Sequence, residues 1–369
     1  VWGVAGAALA AVPAGSADWL RTRRTASEPP TLEEHPLKVV IPLAGKGTRL
    51  RPHTYVTPKP LLRVGGRPVM SYILDDLREL GVSEIVFITG YLKEEIERYI
   101  RSEYAEFTAH FVEQEVQDGT AGAVKLAQPY VDEDLLVIFV DTLFDADLGA
   151  IESLPEADAG IVWAKEVEDY QRFGVIVTDG QGYMTRIVEK PKDPISRLAN
   201  IGLYYIRDHE LLFEGIDATI DRVTSQGGEY YLTDAFQYMI DHGARLRVAE
   251  VEGWYDCGKP ETLIQTNRHL LENGRARKPR GGYAVRIHDP VRVEEGVTLR
   301  NATIGPNVTI GAGSTVRDSE LRDVIVGTDT VVEGCRLHDS ILGDSVRALG
   351  VKGIANLGPH SEVRGEDGA

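Results

Sequence analysis

Cysteine is nearly absent. Cys257 and Cys335 are the only two in 369 residues, they stand far apart, and no CxxC pair or Cys/His cluster accompanies them. That excludes a disulfide framework and a zinc site, and makes a reducing cytoplasm the expected location. Positive charge is also in deficit, with 40 Lys and Arg against 57 Asp and Glu and a formal net charge of −17. Nucleic acid and anionic membrane would be repelled by most of such a surface, so neither is an expected partner. An anionic substrate must then be met by local cations or a metal. No apolar run is long enough for a membrane-spanning helix. The first 17 residues are uncharged and look like a signal-peptide core, but the basic residues that should precede such a core are missing. Residues 1–37 are therefore expected to be a disordered N-terminal extension.

The hydrophobic content of 43% can fill real cores, and the pattern divides the chain into a large domain at 38–275 and a smaller one at 281–365. In the first, strand-like and helix-like stretches alternate, which predicts an α/β fold with a mainly parallel, Rossmann-like sheet. Val39 to Ile41 read as a buried strand. Val69, Met70, Ile73, Leu74, Leu77 and Leu80 fall on one helical face stopped by Gly81. Ile85 to Ile88, a helix over 92–100 and a strand around His110 to Val112 complete a βαβαβ half, which binds ligands at the carboxyl ends of its strands.

The first strand runs into Leu43-Ala44-Gly45-Lys46-Gly47-Thr48, whose small side chains leave the backbone amides bare. Arg49, Arg51 and Lys59 add positive charge, and amides plus cations suit a polyphosphate. A Walker loop is excluded because Gly47, not Ser or Thr, follows Gly45-Lys46, and a dinucleotide fingerprint is excluded because Leu50 stands where its third glycine would. Further on, Gly119 and Gly122 clear space at a helix start, and the apolar strand Leu135 to Val140 ends on Asp141. A carboxylate there calls for a metal or phosphate partner. Thr233 or Asp234 is the expected cap of a later helix.

Gly45-Lys46-Gly47-Thr48-Arg49-Leu50-Arg51-Pro52, followed by Pro58-Lys59-Pro60-Leu61, resembles the signature of the sugar-phosphate nucleotidylyltransferases. These enzymes join a nucleoside triphosphate to a sugar 1-phosphate and release pyrophosphate. The resemblance implies that Leu43, Ala44, Gly45, Gly47 and Thr48 line the nucleotide, with Arg49 and Lys59 steadying the triphosphate. Gln114, five positions before Gly119, would read a uracil or thymine edge beside Gly119 and Thr120; an amide can both donate to a ring carbonyl and accept from a ring N–H. Asp141 and the Asp256 of Trp254-Tyr255-Asp256 would hold Mg2+. Lys190 of Glu189-Lys190-Pro191 would bind the sugar phosphate and Glu189 the sugar hydroxyls, with Gly174, Asn200, Glu229 and Trp254 completing the pocket.

One departure stands out: the family has Gly-Asp where this chain has Val140-Asp141, so the bare backbone offered there to the substrate is lost. The expected reaction is magnesium-dependent transfer from dTTP or UTP to glucose 1-phosphate. The turn Gly119 to Ala123 is shared with guanine-using relatives and does not choose the base. A mannose-1-phosphate guanylyltransferase and a non-catalytic regulatory subunit that binds nucleotide sugar remain the alternatives.

Beyond Arg280 an aliphatic residue recurs at every sixth position, as in Ile304, Ile310 and Val316 and then in Val326 and Val332. This is the hexapeptide signature of a left-handed parallel β-helix, with coils of about eighteen residues. An assembly module for a homo-oligomer is the expectation; an acyltransferase site would need more coils and a placed histidine, and His338 stands alone.

Overall fold

The computed structural model describes residues 37–365, so the extension expected at 1–37 falls outside the described residues except for Leu37. Strand β1 (Leu37–Pro42) lies at the centre of the first sheet. Val39, Val40 and Ile41 are fully buried, each worth roughly 1.5–3 kcal/mol. Val39 and Ile41 enter one core cluster and Val40 another, so the period-two alternation serves helices on both faces. Lys38 is also buried, held by Glu84 at 2.8 Å and Glu133 at 3.7 Å.

A small hairpin, β2 (Arg63–Val64) and β3 (Arg67–Pro68), leads into α1 (Val69–Glu79), whose predicted apolar face is buried. Gly81, at φ +77, ends it in the left-handed conformation that glycine permits. Next come β4 (Glu84–Thr89), α2 (Lys93–Glu103), β5 (Thr108–Glu113), α3 (Thr120–Lys125) and β6 (Asp134–Ile138). Then follow β7 (Thr142–Asp145), β8 (Gly160–Glu166), β9 (Gly174–Thr178), β10 (Met184–Glu189) and β11 (Leu198–Ile206). Helices α4 (His209–Gln226) and α5 (Leu232–Asp241), strands β12 (Leu246–Glu250) and β13 (Gly253–Asp256), and α6 (Pro260–Leu270) complete this part.

The sheet order is β10-β9-β11-β6-β1-β4-β5, with β8 paired to β11 and β12. Strands β6, β1, β4 and β5 are parallel, whereas β11 runs antiparallel to β6, β8 and β9. The sheet is thus mixed rather than mainly parallel, because the β9–β10 pair closes through a short turn that only antiparallel strands can use. A separate antiparallel ribbon joins β7 to β13.

From Tyr283 onward the strands are short and pair in parallel. Thr298 lies beside Thr315, Val331 beside Arg347 and Arg347 beside Glu362, so the chain returns to one column after 17, 16 and 15 residues. That return is shorter than the eighteen expected. Ile304, Ile310, Val316, Val326 and Val332 are all buried in the stack. Many corners are taken by Asn301, Asn307, Asp318, Asp323, Asp329 and Asp339 at positive φ, residues that tolerate the left-handed region through local side-chain hydrogen bonds. The stack packs along α6, where Arg268 Nη2 lies 2.7 Å from Asp323 Oδ1. Among the described residues no helix is long and apolar enough to cross a membrane.

Candidate active site

The loop after β1 is set by one glycine. Gly47 sits at φ +59, and a Cβ there would lie 3.0 Å from Thr54 Cγ2 and 3.1 Å from Lys59 Cβ, so both conformation and space demand glycine. Gly45 would meet nothing within 4 Å; its lack of a side chain leaves backbone open instead. Thr54 Oγ1 donates to Gly47 O at 2.8 Å, and Leu43 N donates to Ile88 O at 2.7 Å. Leu43 and Ala44 are buried beneath the loop, and Thr48 opens a short 3-10 turn carrying Arg49.

The β7–β13 ribbon brings the two expected metal carboxylates together. Asp256 pairs with Thr142, and Cys257 N donates to Asp141 O at 2.9 Å. Asp141 lies beyond the end of β6 with its side chain 46% exposed, and Lys59 Nζ is 3.0 Å from its Oδ2. Although the carboxylate is open to solvent on one side, the protein packed around it removes enough water to work against its charge; Lys59, by charge and hydrogen bond, and then Arg49 outweigh this and hold the carboxyl below the usual range. Asp256 Oδ1 accepts Gly258 N–H at 2.6 Å, and its carbonyl accepts Thr266 Oγ1–H at 3.1 Å. Arg49 Nη2 lies 3.2 Å from where a Gly258 Cβ would stand. Arg49, Lys59 and Arg172 therefore gather around these two carboxylates in an acidic protein.

Arg172 was not apparent from the sequence. It precedes Gly174 by two positions, stacks over the Phe173 ring at 5.2 Å, and stands 4.0 Å from Asp256 Oδ2 and 2.6 Å from Asp169. Phe173 in turn meets Trp254 edge-on at 4.9 Å. The Trp254 Nε1 is buried with no hydrogen-bond partner among the described residues. A cation two residues before the sugar-side glycine was the signal available. Cys257 is buried, and burial pushes its thiol up to about 12, which suits packing rather than nucleophilic chemistry.

Gln114 is buried, and its Nε2 donates to Asp118 Oδ1 at 2.9 Å and to Gly119 O at 3.2 Å. Two acceptors fix which end of the amide is nitrogen and use both its hydrogens. With both amide hydrogens used in this way, Oε1 is left as an acceptor, whereas the expectation had Gln114 both donate and accept. Gly119 has φ +131 and a Cβ on it would fall 2.3 Å from Tyr230 O. Thr120 lies against α5 rather than in the loop, its hydroxyl accepting Leu232 N–H at 2.9 Å. Another contact to the loop after β1 had no sequence signal: Gln117 Nε2 donates to Ala44 O at 2.7 Å.

The expected sugar-side residues cluster as well. A Cβ on Gly174 would lie 2.2 Å from Asn200 Nδ2, 2.6 Å from Thr233 Cγ2 and 3.0 Å from Glu189 Oε2. Asn200 Nδ2 donates to Gly174 O at 3.0 Å, and Tyr204 OH donates to Asn200 Oδ1. Thr233 does not cap α5, which begins at Leu232 after Tyr231. Its hydroxyl, in the first turn, donates to Glu189 Oε2 at 3.2 Å. Burial raises the Glu189 pKa, and Lys190 and Thr233 only partly offset it. Lys190, at φ +45, lies 3.7 Å from Glu189 Oε1 and over the Tyr231 ring at 4.7 Å. Glu229 is exposed at the edge of this cluster, where it interacts with Tyr231 and Lys190. Val140 is 4% exposed and belongs to the core.

Comparison with known proteins agrees with this arrangement. A family model described as nucleotidyl transferase matches residues 38–273. The chain is 31% identical over 340 residues to a low-salt glycan biosynthesis nucleotidyltransferase of Haloferax volcanii, covering 83% of this chain and 92% of that protein. It is 28% identical over 360 residues to a glucose-1-phosphate thymidylyltransferase of Streptomyces antibioticus, covering 89% and 99%. A solved UDP-glucose pyrophosphorylase with UDP-glucose shares the fold at TM-score 0.57 and 24% identity, over 64% of this chain and 98% of that one. The chain belongs to the nucleotidyl transferase family, among the sugar-phosphate nucleotidylyltransferases whose motifs its own resemble.

Proposed function

We propose that the protein transfers a nucleotidyl group from UTP or dTTP to glucose 1-phosphate, giving a nucleoside diphosphate sugar and pyrophosphate. The observation that carries this reading is the pair Asp141 and Asp256 at one end of the β7–β13 ribbon, with Arg49, Lys59 and Arg172 around them. A sugar 1-phosphate oxygen is anionic at neutral pH, so it needs no general base. It attacks the α-phosphorus as the bond to the bridging oxygen breaks and pyrophosphate departs. The obstacle is repulsion between two polyanions, which positioned cations lower. Arg49 and Lys59 grip the triphosphate and the departing pyrophosphate, Lys190 holds the sugar phosphate, and Glu189 and Asn200 accept and orient sugar hydroxyls.

Two carboxylates fit Mg2+, a hard cation usually bound by one or two carboxylates together with substrate phosphates. Among the described residues no group of three His, Cys, Asp or Glu side chains is placed to hold a metal, so an all-protein cage is not the design. Asp141 and Asp256 would hold the ion, which when bound supplies charge neutralisation across the phosphates.

Gln114 has only Oε1 to offer a base. It can accept the ring N–H of uracil, thymine or guanine, and equally an amino N–H of adenine or cytosine, so it is compatible with UTP and dTTP without selecting them. Their preference rests on the motif resemblance and on relatives named as uridylyl- and thymidylyltransferases, and GTP with mannose 1-phosphate stays as the second reading. Mass analysis of products from glucose 1-phosphate or mannose 1-phosphate with each of five triphosphates tests the assignment. A product with ATP or CTP alone would overturn the assignment to UTP or dTTP.

The parallel columns and the buried aliphatic ladder support reading 281–365 as a left-handed β-helix domain beside a catalytic domain at 38–275. We assign it to homo-oligomer assembly in the cytoplasm; unchanged size on chromatography after truncation at residue 275 would refute the assembly role.

A further inference from the structure

The cationic loop does not end in solvent. It turns at Pro52 and His53, and the far end of the C-terminal strand stack covers both. His53 is only 2% exposed, and its Nε2 lies 2.5 Å from Asn356 Oδ1, 303 residues further along the chain. A Cβ on Gly358 would stand 3.0 Å from Pro52 Cβ and 3.2 Å from Pro52 O, so the stack meets the loop where glycine allows close approach. The neighbouring Thr54 passes the contact on, its Oγ1 donating to Gly47 O at 2.8 Å. A continuous series therefore runs from Asn356 through His53 and Thr54 to the glycine that shapes the phosphate loop.

The stack also reaches the metal side. Asn267 of α6 accepts Gly65 N–H at 3.0 Å and Thr309 Oγ1–H at 2.7 Å on the same Oδ1, and donates to Asn307 O at 3.3 Å. One residue earlier, Thr266 holds the Asp256 carbonyl. Residues 48–55 form two short 3-10 turns, each closed by its own backbone hydrogen bonds, and the contact at His53 ties the second of them to the stack.

We propose that Asn356 is a positioning residue for the triphosphate grip: through His53 the C-terminal stack fixes the pose of the segment that carries Arg49 and Arg51. This rests on the reading that the loop binds a nucleoside triphosphate. It gives the C-terminal stack a role within each subunit, separate from assembly. Removing the acceptor leaves a buried imidazole N–H unpaired, and the loop moves to satisfy it. The triphosphate side suffers, whereas the sugar phosphate, held by Lys190, does not.

The test uses Asn356→Ala, Asn356→Asp, which keeps an acceptor oxygen, and Asn301→Gly. Asn301 is an exposed corner residue of the same stack that bonds to Asp318, and glycine keeps its positive φ without strain. Pyrophosphate release is measured with UTP and glucose 1-phosphate varied separately, alongside sizing chromatography. Asn356→Ala should raise KM for UTP about tenfold and leave KM for glucose 1-phosphate within about twofold, at unchanged oligomer size. Asn356→Asp should recover most of the UTP affinity, and Asn301→Gly should behave as the parent protein. The proposal is overturned if Asn356→Ala leaves KM for UTP unchanged, raises both KM values alike, or is matched by Asn301→Gly. A parent protein that releases no pyrophosphate from any pair of substrates would instead sink the functional reading on which it rests.

Discussion

Lys59 Nζ stands 3.0 Å from Asp141 Oδ2, although 82 residues separate the two along the chain. The fold thus joins a loop cation to a carboxylate at the sheet edge, and each conditions the other. Asp141 is kept ionised by Lys59, and Lys59 is held where a triphosphate would lie. Lys59→Met removes the charge but keeps most of the stem. It should lower kcat/KM for the triphosphate by roughly 100-fold. It should also tighten Mg2+ binding to the free protein, measured by calorimetry, because Asp141 loses a competing cation. Weaker Mg2+ binding would contradict the pairing.

Asp141→Ala and Asp256→Ala should each cut turnover by at least about 100-fold. The fold should survive, since Asp141 is half exposed and Asp256 sits at a ribbon end. Circular dichroism and pyrophosphate release check both halves. A near-normal rate in either variant removes that residue from the metal site.

Arg172→Ala should lower kcat by roughly tenfold or more. Arg172→Lys should recover only part, because the flat guanidinium both stacks on Phe173 and faces Asp256. Full recovery by lysine would mean that charge alone matters there.

The acid limb of the pH profile for glucose 1-phosphate should belong to Glu189. Burial raises its pKa, so as pH falls it takes up a proton before an ordinary carboxylate would and loses its ability to accept sugar hydroxyls. Asp141, held low, is still charged in that range. The stability contribution has the opposite sense. A raised folded pKa means that protonation favours the folded chain at low pH, an effect lost as pH rises through the folded value. Acid inactivation in this window is therefore not unfolding driven by Glu189. Glu189→Gln should abolish the limb in kcat/KM for glucose 1-phosphate; an unmoved limb would assign it elsewhere.

Much of this was legible in the sequence because it is written in local pattern. The buried strand before the loop, the apolar face of α1 and the aliphatic period of the stack follow from spacing alone. The site residues Arg49, Lys59, Asp141, Lys190 and Asp256 came from motifs whose spacing matches a family. What was not legible depends on partners distant in sequence. The spent hydrogens of Gln114 depend on Asp118 and Gly119 in a particular turn, the hydroxyl of Thr120 is drawn to α5, and Thr233 reaches Glu189 instead of capping its helix. Arg172 carries no motif, and its place near Asp256 depends on its pairing with Asp169 and its stacking on Phe173. The antiparallel half of the sheet escaped notice because strands buried on both faces look alike in either direction.

In the proposed function, two carboxylates and their surrounding cations bring a triphosphate and a sugar 1-phosphate together. Pyrophosphate release from UTP or dTTP with glucose 1-phosphate, measured with Mg2+ and again with excess chelator, tests it most directly. The account expects release that requires both substrates and stops with chelator. No release from any triphosphate and sugar 1-phosphate pair, or release indifferent to chelator, would contradict it.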